Sequence, residues 1–153
     1  MRCETRLLVI WTKIRASDIH GVGCFSVDAI KAGAIVWRLH PAVDLAFTAS
    51  QIESMPKAFQ IFLSQYASKD FGQDRYVLCS DNARFINHAA SPNLTHNKPV
   101  SADSIFANRD IAAGEELTLN YQFVDDPGET GNVLTKIGLA FGREDELDPR
   151  LLS

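Results

Sequence analysis

Asn87 and His88 stand side by side after an apolar pair, and Ser91-Pro92-Asn93 ends any regular element shortly afterwards. A carboxamide and a neutral imidazole can each donate and accept hydrogen bonds at the same time. At the end of a strand, such a pair together with adjacent backbone groups could bind an adenine edge or a zwitterion. The alternative is that Asn87 caps its own turn and His88 is satisfied locally.

A second candidate is the glycine turn His20-Gly21-Val22-Gly23, which lies between two predicted strands. Neither glycine has a Cβ, so the backbone here can approach a ligand closely. The third glycine and the following helix of a dinucleotide fingerprint are missing. The segment therefore predicts either a hairpin without a ligand or a turn whose backbone holds one.

The third candidate is Tyr121, in the alternating segment 116–123. Alternation predicts a strand with Leu117, Leu119, Tyr121 and Phe123 on one face and Thr118 and Asn120 on the other. A phenol on an apolar face needs a partner for its hydroxyl, and most such tyrosines are structural.

Two other chemistries find no support in the sequence. Serine-type catalysis would need a Gly-x-Ser-x-Gly elbow, which the chain lacks. The chain has four histidines without close ligand spacing, so no metal site is expected.

Composition limits the class of protein. A chain of 153 residues suits one domain. The net charge of -4 argues against direct nucleic-acid binding through a general basic surface and is compatible with a basic peptide partner. Three widely spaced cysteines indicate reduced thiols, and hence a cytoplasmic protein. The apolar run 7–11 is too short to span a bilayer, so no membrane association is expected.

The pattern of elements predicts an α+β fold that is mainly β. Strands are predicted at 7–11, 21–27, 34–39, 76–80, 104–107 and 116–123. One helical insertion is predicted at about 50–67, where Ser50 and Glu53 resemble a capping box and Pro56 indicates a kink or a second helix start. The echo of 30–33 in 111–114 predicts one kind of glycine turn used twice.

The order of these motifs resembles the SET-domain family of protein-lysine methyltransferases. "RFINHAASPN" is similar to the family signature Arg-Phe-x-Asn-His-x-x-x-Pro-Asn, and "NRDIAAGEELTLNY" to its Arg-x-Ile-x-x-Gly-Glu-Glu-Leu-x-x-x-Tyr block. The resemblance covers roughly residues 8–123. It implies a SET (β-clip) fold of short curved sheets, with a pseudoknot-like threaded C-terminal segment.

The resemblance also implies S-adenosylmethionine as cofactor and a lysine-containing protein or peptide, such as a histone-like tail, as substrate. The cofactor-binding residues that it implies are His20, Gly21, Val22, Arg84, Asn87 and His88. Arg84, like Asn93, is interpreted mainly as a support for the threaded turn. Tyr121 matches the catalytic tyrosine, and Leu119, Tyr121 and Phe123 would line the substrate channel.

Two departures from the family pattern leave questions open. Leu119 stands where the family often has an aromatic residue that limits the number of methyl groups, so product multiplicity stays open. No cysteine-rich segment follows Tyr121. We therefore interpret 1–125 as the SET domain and 126–153 as a tail that could close the lysine channel.

Minimal SET proteins of this kind sometimes close their sites by pairing two copies, which makes a homodimer an expectation by analogy. Nuclear or host chromatin would be the location if the substrate is a histone. The main alternative is a catalytically inactive SET-fold module that binds peptides. Methylation of a small molecule or of a non-histone protein is a further alternative.

Overall fold

Short strands make up most of the fold, as the sequence predicts. The computed structural model describes residues 8–70, 74–96 and 104–120. Its strands are β1 (Thr12–Ala16), β2 (Val22–Ser26), β3 (Ile35–Arg38), β4 (Leu45–Phe47), β5 (Ala67–Asp70), β6 (Arg75–Leu78), β7 (Asn87–His88), β8 (Leu94–His96), β9 (Ser104–Ala107) and β10 (Thr118–Leu119). Its helices are α1 (Ala49–Glu53), α2 (Lys57–Tyr66) and a 3₁₀ turn at Asn82–Phe85.

The strands form small sheets that place chain segments from both halves of the sequence side by side. Strands β1 and β2 form an antiparallel hairpin, and the orders β3-β9-β8 and β4-β6-β5 make two antiparallel sheets. Strand β10 pairs in parallel with β7, with Thr118 opposite Asn87 and Leu119 opposite His88. This last pair carries the end of the domain back to the Asn-His motif.

Two apolar clusters hold these sheets. The larger packs side chains of β2, β3, β8 and β9 together with Ile111, Leu117 and Leu119. The smaller belongs to the helical insertion, where Ile52 and Leu63 are fully buried. Neither α1 nor α2 has the length and apolar run that a bilayer crossing would need.

The helical insertion has the predicted position, but its start differs from the predicted one. The Thr48 side chain accepts a hydrogen bond from the Gln51 amide, and the Gln51 side chain accepts one from the Thr48 amide. The capping box therefore lies two residues before the predicted Ser50 and Glu53. Pro56 is the N-cap of α2, so it marks a second helix start and not a kink.

The predicted buried strand at 7–11 is wrong. Leu8 forms a single bridge to Trp37, and the strand proper begins only at Thr12. Val9 is 46% exposed and Trp11 is 68% exposed, while Leu8 and Ile10 are partly buried against the larger cluster. Only one side of this run therefore contacts the core. The pattern of hydrophobic residues alone does not distinguish a core strand from an exposed entry into a hairpin.

The predicted strand at 116–123 is shorter in the described residues, where the strand is Thr118–Leu119. Leu117, Thr118 and Leu119 are all buried, so both faces of this segment are covered. A threaded segment has protein on every side, and its polar positions must then be hydrogen-bonded internally and not by water.

The two similar sequences at 30–33 and 111–114 do form the same turn. Gly33 has φ +83° and Gly114 has φ +79°. The first turn closes with a hydrogen bond from the Ala34 amide to the Lys31 carbonyl oxygen, and the second with one from the Glu115 amide to the Ala112 carbonyl oxygen. A positive φ at the third position is the type II pattern, which favours glycine. Ile30 and Ile111 exchange two backbone hydrogen bonds, so the two turns lie back to back.

We expect Gly114→Ala to destabilise the fold by about 1–2 kcal/mol, because an L side chain is disfavoured at positive φ. A Cβ at this position would meet nothing within 4 Å, so the cost is conformational and not steric. Gly33→Ala should cost about the same, whereas Ala113→Ser in the same turn should be nearly neutral. Urea unfolding measures all three, and equal stability of Gly114→Ala and the wild type would contradict the prediction.

Candidate functional site

The glycine turn is organised by a serine that precedes it. The Ser17 amide donates to the Gly21 carbonyl oxygen at 3.0 Å, and the Ser17 hydroxyl accepts from the Ile19 amide at 2.9 Å. Gly21 has φ +47°, a conformation that glycine adopts without strain. The turn is thus shaped by its own hydrogen bonds before any ligand is considered.

Asn87 joins strand β7 to this turn through its side-chain amide. Its Nδ2 lies 3.1 Å from the carbonyl oxygen of His20 and 3.0 Å from that of Val22. It also lies 2.9 Å from Oε1 of Glu116 and 3.2 Å from the Ser17 hydroxyl. Carbonyl and carboxylate oxygens only accept, so the nitrogen of the amide must face this group. Asn87 therefore contacts a distant turn, which argues against the alternative that it caps its own.

Glu116 approaches the same place from the opposite side. Its carboxylate accepts from the Ser17 hydroxyl at 2.8 Å and from the Asn87 amide at 2.9 Å. The carboxylate passes over Gly23, where an added Cβ would lie 2.2 Å from Oε1. Gly23 thus provides the space for Glu116, while Gly21 provides the positive φ. The two glycines of the turn have different physical roles.

Asn93 fixes the segment that carries Glu116. It is 1% exposed, and its Nδ2 donates to the Glu116 carbonyl oxygen at 2.8 Å. Its Oδ1 accepts from the Thr118 amide at 2.8 Å, and its own amide donates to the Thr118 hydroxyl at 3.2 Å. The Asn93 side chain makes the backbone hydrogen bonds to Glu116 and Thr118 that an adjacent strand would otherwise make. This agrees with the support role expected for Asn93.

The other candidate residues lie in different surroundings. His88 is exposed and pairs in register with Leu119, whose side chain is 7% exposed. The Arg84 guanidinium stacks over the Phe85 ring, 4.9 Å from its centroid, and within the described residues it makes no hydrogen bond to the glycine turn. The structure therefore brings His20, Gly21 and Val22 together with Asn87, but not with Arg84.

Three predictions for the candidate site concern residues beyond Asn120. Tyr121, Phe123 and the tail 126–153 lie outside the described residues. Of the three predicted channel residues, the structure describes Leu119, which is buried beside β7.

The glycine turn has room beside it for a ligand such as S-adenosylmethionine. A Cβ on Gly21 would meet nothing within 4 Å, so space is open on that side of the turn, and His20 and Val22 are exposed beside it. Among the described residues, no three His, Cys, Asp or Glu side chains gather into a possible metal site.

The described thiols are unsuited to nucleophilic chemistry. Burial raises the pKa of Cys24 to about 11, and burial also raises the pKa of Cys79 well above its usual range. A thiol is reactive as the thiolate, which is scarce at neutral pH in both positions.

Glu115, the neighbour of Glu116, points to a different partner. Its carboxylate accepts from the Arg109 guanidinium, the Ala112 amide and the Asn93 amide. The Arg109 hydrogen bond, followed by the Ala112 amide, holds the pKa of Glu115 at about 2, against a usual value of 4.5. The two neighbouring side chains thus point in different directions. Glu115 forms an ion pair with Arg109, and Glu116 contacts Ser17 and Asn87 at the glycine turn.

We expect Glu115 to contribute stability above pH 4.5 that is lost as the pH falls towards 2, because its pKa is lower in the folded state. The pair is partly exposed, so solvent screening limits the effect to about 1 kcal/mol or less. Urea unfolding of Glu115→Gln and Arg109→Gln between pH 2 and 7 measures this contribution. Both variants should lack the decrease in the free energy of unfolding that the wild type shows as the pH falls from 4.5 towards 2. Identical curves for variants and wild type would contradict the prediction.

Sequence reasoning missed Ser17 and Glu116. Ser17 had no motif around it, and its role depends on contacts 70 and 99 residues away. Glu116 was visible only as part of the Gly-Glu-Glu block, where nothing distinguishes it from Glu115.

The comparisons with known proteins agree with the fold. The family profile described as "SET domain" matches residues 21–122, which is two thirds of the chain, and the chain belongs to this family. A histone-lysine N-methyltransferase, H3 lysine-4 specific, from Yarrowia lipolytica is 46% identical over 127 residues, covering 76% of this chain and 10% of that protein.

A human relative, histone-lysine N-methyltransferase 2B, is 32% identical over 111 residues, covering 70% of this chain and 4% of that protein. The chain thus spans a tenth or less of the length of these two relatives. A solved structure described as ctPRC2 in an autoinhibited conformation bound to S-adenosylmethionine has a TM-score of 0.60 at 18% identity, covering 84% of this chain and 16% of that chain. This likeness shows the fold, and the expected SET fold is confirmed.

Proposed function

We propose that this chain is a SET-type protein-lysine N-methyltransferase that uses S-adenosylmethionine. The proposal rests on one observation: the Asn87 side chain donates hydrogen bonds to the His20 and Val22 carbonyl oxygens of the glycine turn, beside the open space at Gly21. The names of the relatives from Yarrowia lipolytica and human support lysine of a protein as the acceptor. The structure described as ctPRC2 bound to S-adenosylmethionine supports the choice of S-adenosylmethionine as the cofactor.

S-adenosylmethionine supplies an electrophilic methyl group, and no metal or covalent enzyme intermediate is needed. The residues of the chain must bind, align and exclude water. The substrate lysine must also be neutral, which costs about 4–5 kcal/mol at pH 7 because its ordinary pKa is near 10.4. Burial of the aminoalkyl chain lowers this cost by disfavouring the ammonium.

The lysine channel is assigned to Leu119, Tyr121 and Phe123. Leu119 supplies a buried apolar wall next to β7. The Tyr121 hydroxyl orients the amine through weak C–H···O contacts of about 0.5–1 kcal/mol each. It is not a conventional general base, because a phenol with an ordinary pKa near 10 is a poor base at neutral pH.

The substrate is proposed at the level of its chemistry, as a lysine in a protein or peptide segment such as a basic histone-like tail. The net charge of -4 suits such a partner. The segment 1–125 is proposed as the catalytic domain, and 126–153 as cover for the channel. Pairing of two chains and a cytoplasmic or nuclear location belong to the same proposal.

Calorimetry with S-adenosylmethionine tests the proposal first. We expect binding heat and a thermal shift, followed by transfer of radiolabelled methyl to core histones or ribosomal proteins. The absence of heat and of a thermal shift at millimolar cofactor would identify an inactive peptide-binding module instead. Cofactor binding without transfer to either protein set would contradict the proposed substrate class.

A further inference from the structure

Glu116 and Ser17 connect three parts of the chain, which are the glycine turn, strand β7 and the segment that precedes β10. The Glu116 carboxylate accepts from the Ser17 hydroxyl and from the Asn87 amide. The Ser17 hydroxyl in turn accepts from the amides of Ile19 and His20, at 2.9 and 3.3 Å. A single carboxylate thus reaches both the backbone of the glycine turn and the side chain of β7.

The backbone of Glu116 is itself fixed on two sides. It forms an antiparallel bridge with Phe25 in β2, and its carbonyl oxygen accepts from the Asn93 side chain. The next amide, of Leu117, donates to the Cys24 carbonyl oxygen at 2.8 Å. The carboxylate therefore starts from a rigid support, as a group that positions others must.

The space for this carboxylate exists only because residue 23 is glycine. A Cβ on Gly23 would lie 2.2 Å from Oε1 and 2.7 Å from Cδ of Glu116, far inside van der Waals contact. The backbone there is ordinary strand, so no special φ requires glycine. Steric room for Glu116 is the physical reason for this glycine.

We infer that Glu116 is a positioning residue for cofactor binding, acting through Ser17 on the turn 17–22 and directly on Asn87, with Gly23 as the gap through which it reaches them. This inference rests on the proposed function, since it assigns the turn and Asn87 to S-adenosylmethionine. Hydrogen bonds to a charged acceptor contribute more than neutral ones, which explains why a carboxylate occupies this point.

The test is a double-mutant cycle of Glu116→Ala and Gly23→Ala. Each single variant should raise the Kd for S-adenosylmethionine about tenfold or more, the loss expected for one charge-assisted hydrogen bond. The double variant should bind within about twofold of Glu116→Ala alone, because the added methyl then meets only Cε2 of Phe25, at 3.2 Å, which has to shift slightly. The KM for the protein substrate should stay unchanged in all three, which a general loss of structure would not allow.

Asp110→Asn is the matched control, because Asp110 is an exposed carboxylate that pairs with Lys31. It should leave the cofactor Kd unchanged. Additive effects of Glu116→Ala and Gly23→Ala, or an unchanged Kd in Glu116→Ala, would overturn the inference. Where Glu116→Ala fails to fold, Ser17→Ala removes only the hydroxyl of the relay and should raise the Kd in the same direction; an unchanged Kd there would also overturn it.

Amide hydrogen exchange separates this inference from the proposed function. Glu116→Ala should speed exchange in 17–22 and leave α2 protected as in the wild type. This readout needs no cofactor, so it holds even if the wild type binds no S-adenosylmethionine and the proposed function fails. Unchanged exchange in 17–22 would show that Glu116 does not position the turn.

Discussion

Tyr121→Phe is expected to lower kcat about a hundredfold, the size of effect that a small misalignment of reacting groups produces. The Kd for S-adenosylmethionine should stay within about fivefold of the wild type, since a single weak C–H···O contact contributes only about 0.5–1 kcal/mol. The reason is that the hydroxyl orients the substrate amine and takes no part in holding the turn. Single-turnover methylation and calorimetry measure the two quantities separately.

Tyr66→Phe is a suitable control for that experiment, because Tyr66 lies in the helical insertion and packs against Phe62 and Phe85. It loses the same hydroxyl from a different part of the fold and should keep wild-type kcat. A rate for Tyr121→Phe equal to that of the wild type would remove Tyr121 from the mechanism.

Asn87→Asp is expected to weaken S-adenosylmethionine binding by at least about a hundredfold, because it replaces a donor with a second carboxylate. The new oxygen would face Oε1 of Glu116, where the amide nitrogen now lies at 2.9 Å, and the carbonyl oxygens of His20 and Val22. Acceptors would then face acceptors at these three contacts, and only the Ser17 hydroxyl could donate to the new carboxylate. Calorimetry with the cofactor and thermal unfolding check the two expected losses.

The combination of Asn87→Asp with Glu116→Gln should recover part of the affinity, because a donor again faces an acceptor between the two side chains. Recovery will be partial, since the turn carbonyl oxygens still lack their donor. Asn108→Ala is the control: its amide donates to the Pro92 carbonyl oxygen on the surface, and its loss should leave the cofactor Kd unchanged. No recovery in the double variant would contradict the assigned contact.

Parts of the fold that depend on neighbouring residues could be predicted from the sequence. The two turns at Gly33 and Gly114 follow from a four-residue pattern, because a positive φ is a local property. The helical insertion follows from its apolar spacing. Its start was misplaced because Thr48 with Gln51 and Ser50 with Glu53 both satisfy the capping-box pattern, and only the structure distinguishes them.

Parts that depend on distant contacts could not be predicted. The run ending at Trp11 is apolar, yet Val9 and Trp11 are exposed, since burial depends on which surface the chain passes and not on its own pattern. Leu117, Thr118 and Leu119 are all buried because other segments cover both faces. In the candidate site, the motif led to Asn87 and the glycine turn, but Glu116 reaches Gly23 across 93 residues of chain.

The parallel pairing of β10 with β7 has a consequence for the order of folding. Glu116, Thr118 and Leu119 contribute to the binding region, yet they come last among the described residues. Closing such a long loop carries an entropic cost that early local contacts do not repay. We therefore expect the hairpin β1–β2 and the helical insertion to form first, and the contacts of Glu116 to form only when β10 pairs with β7. A nascent chain that has emerged only as far as Gly114 would contain the glycine turn and Asn87 without the Glu116 carboxylate that contacts both Ser17 and Asn87.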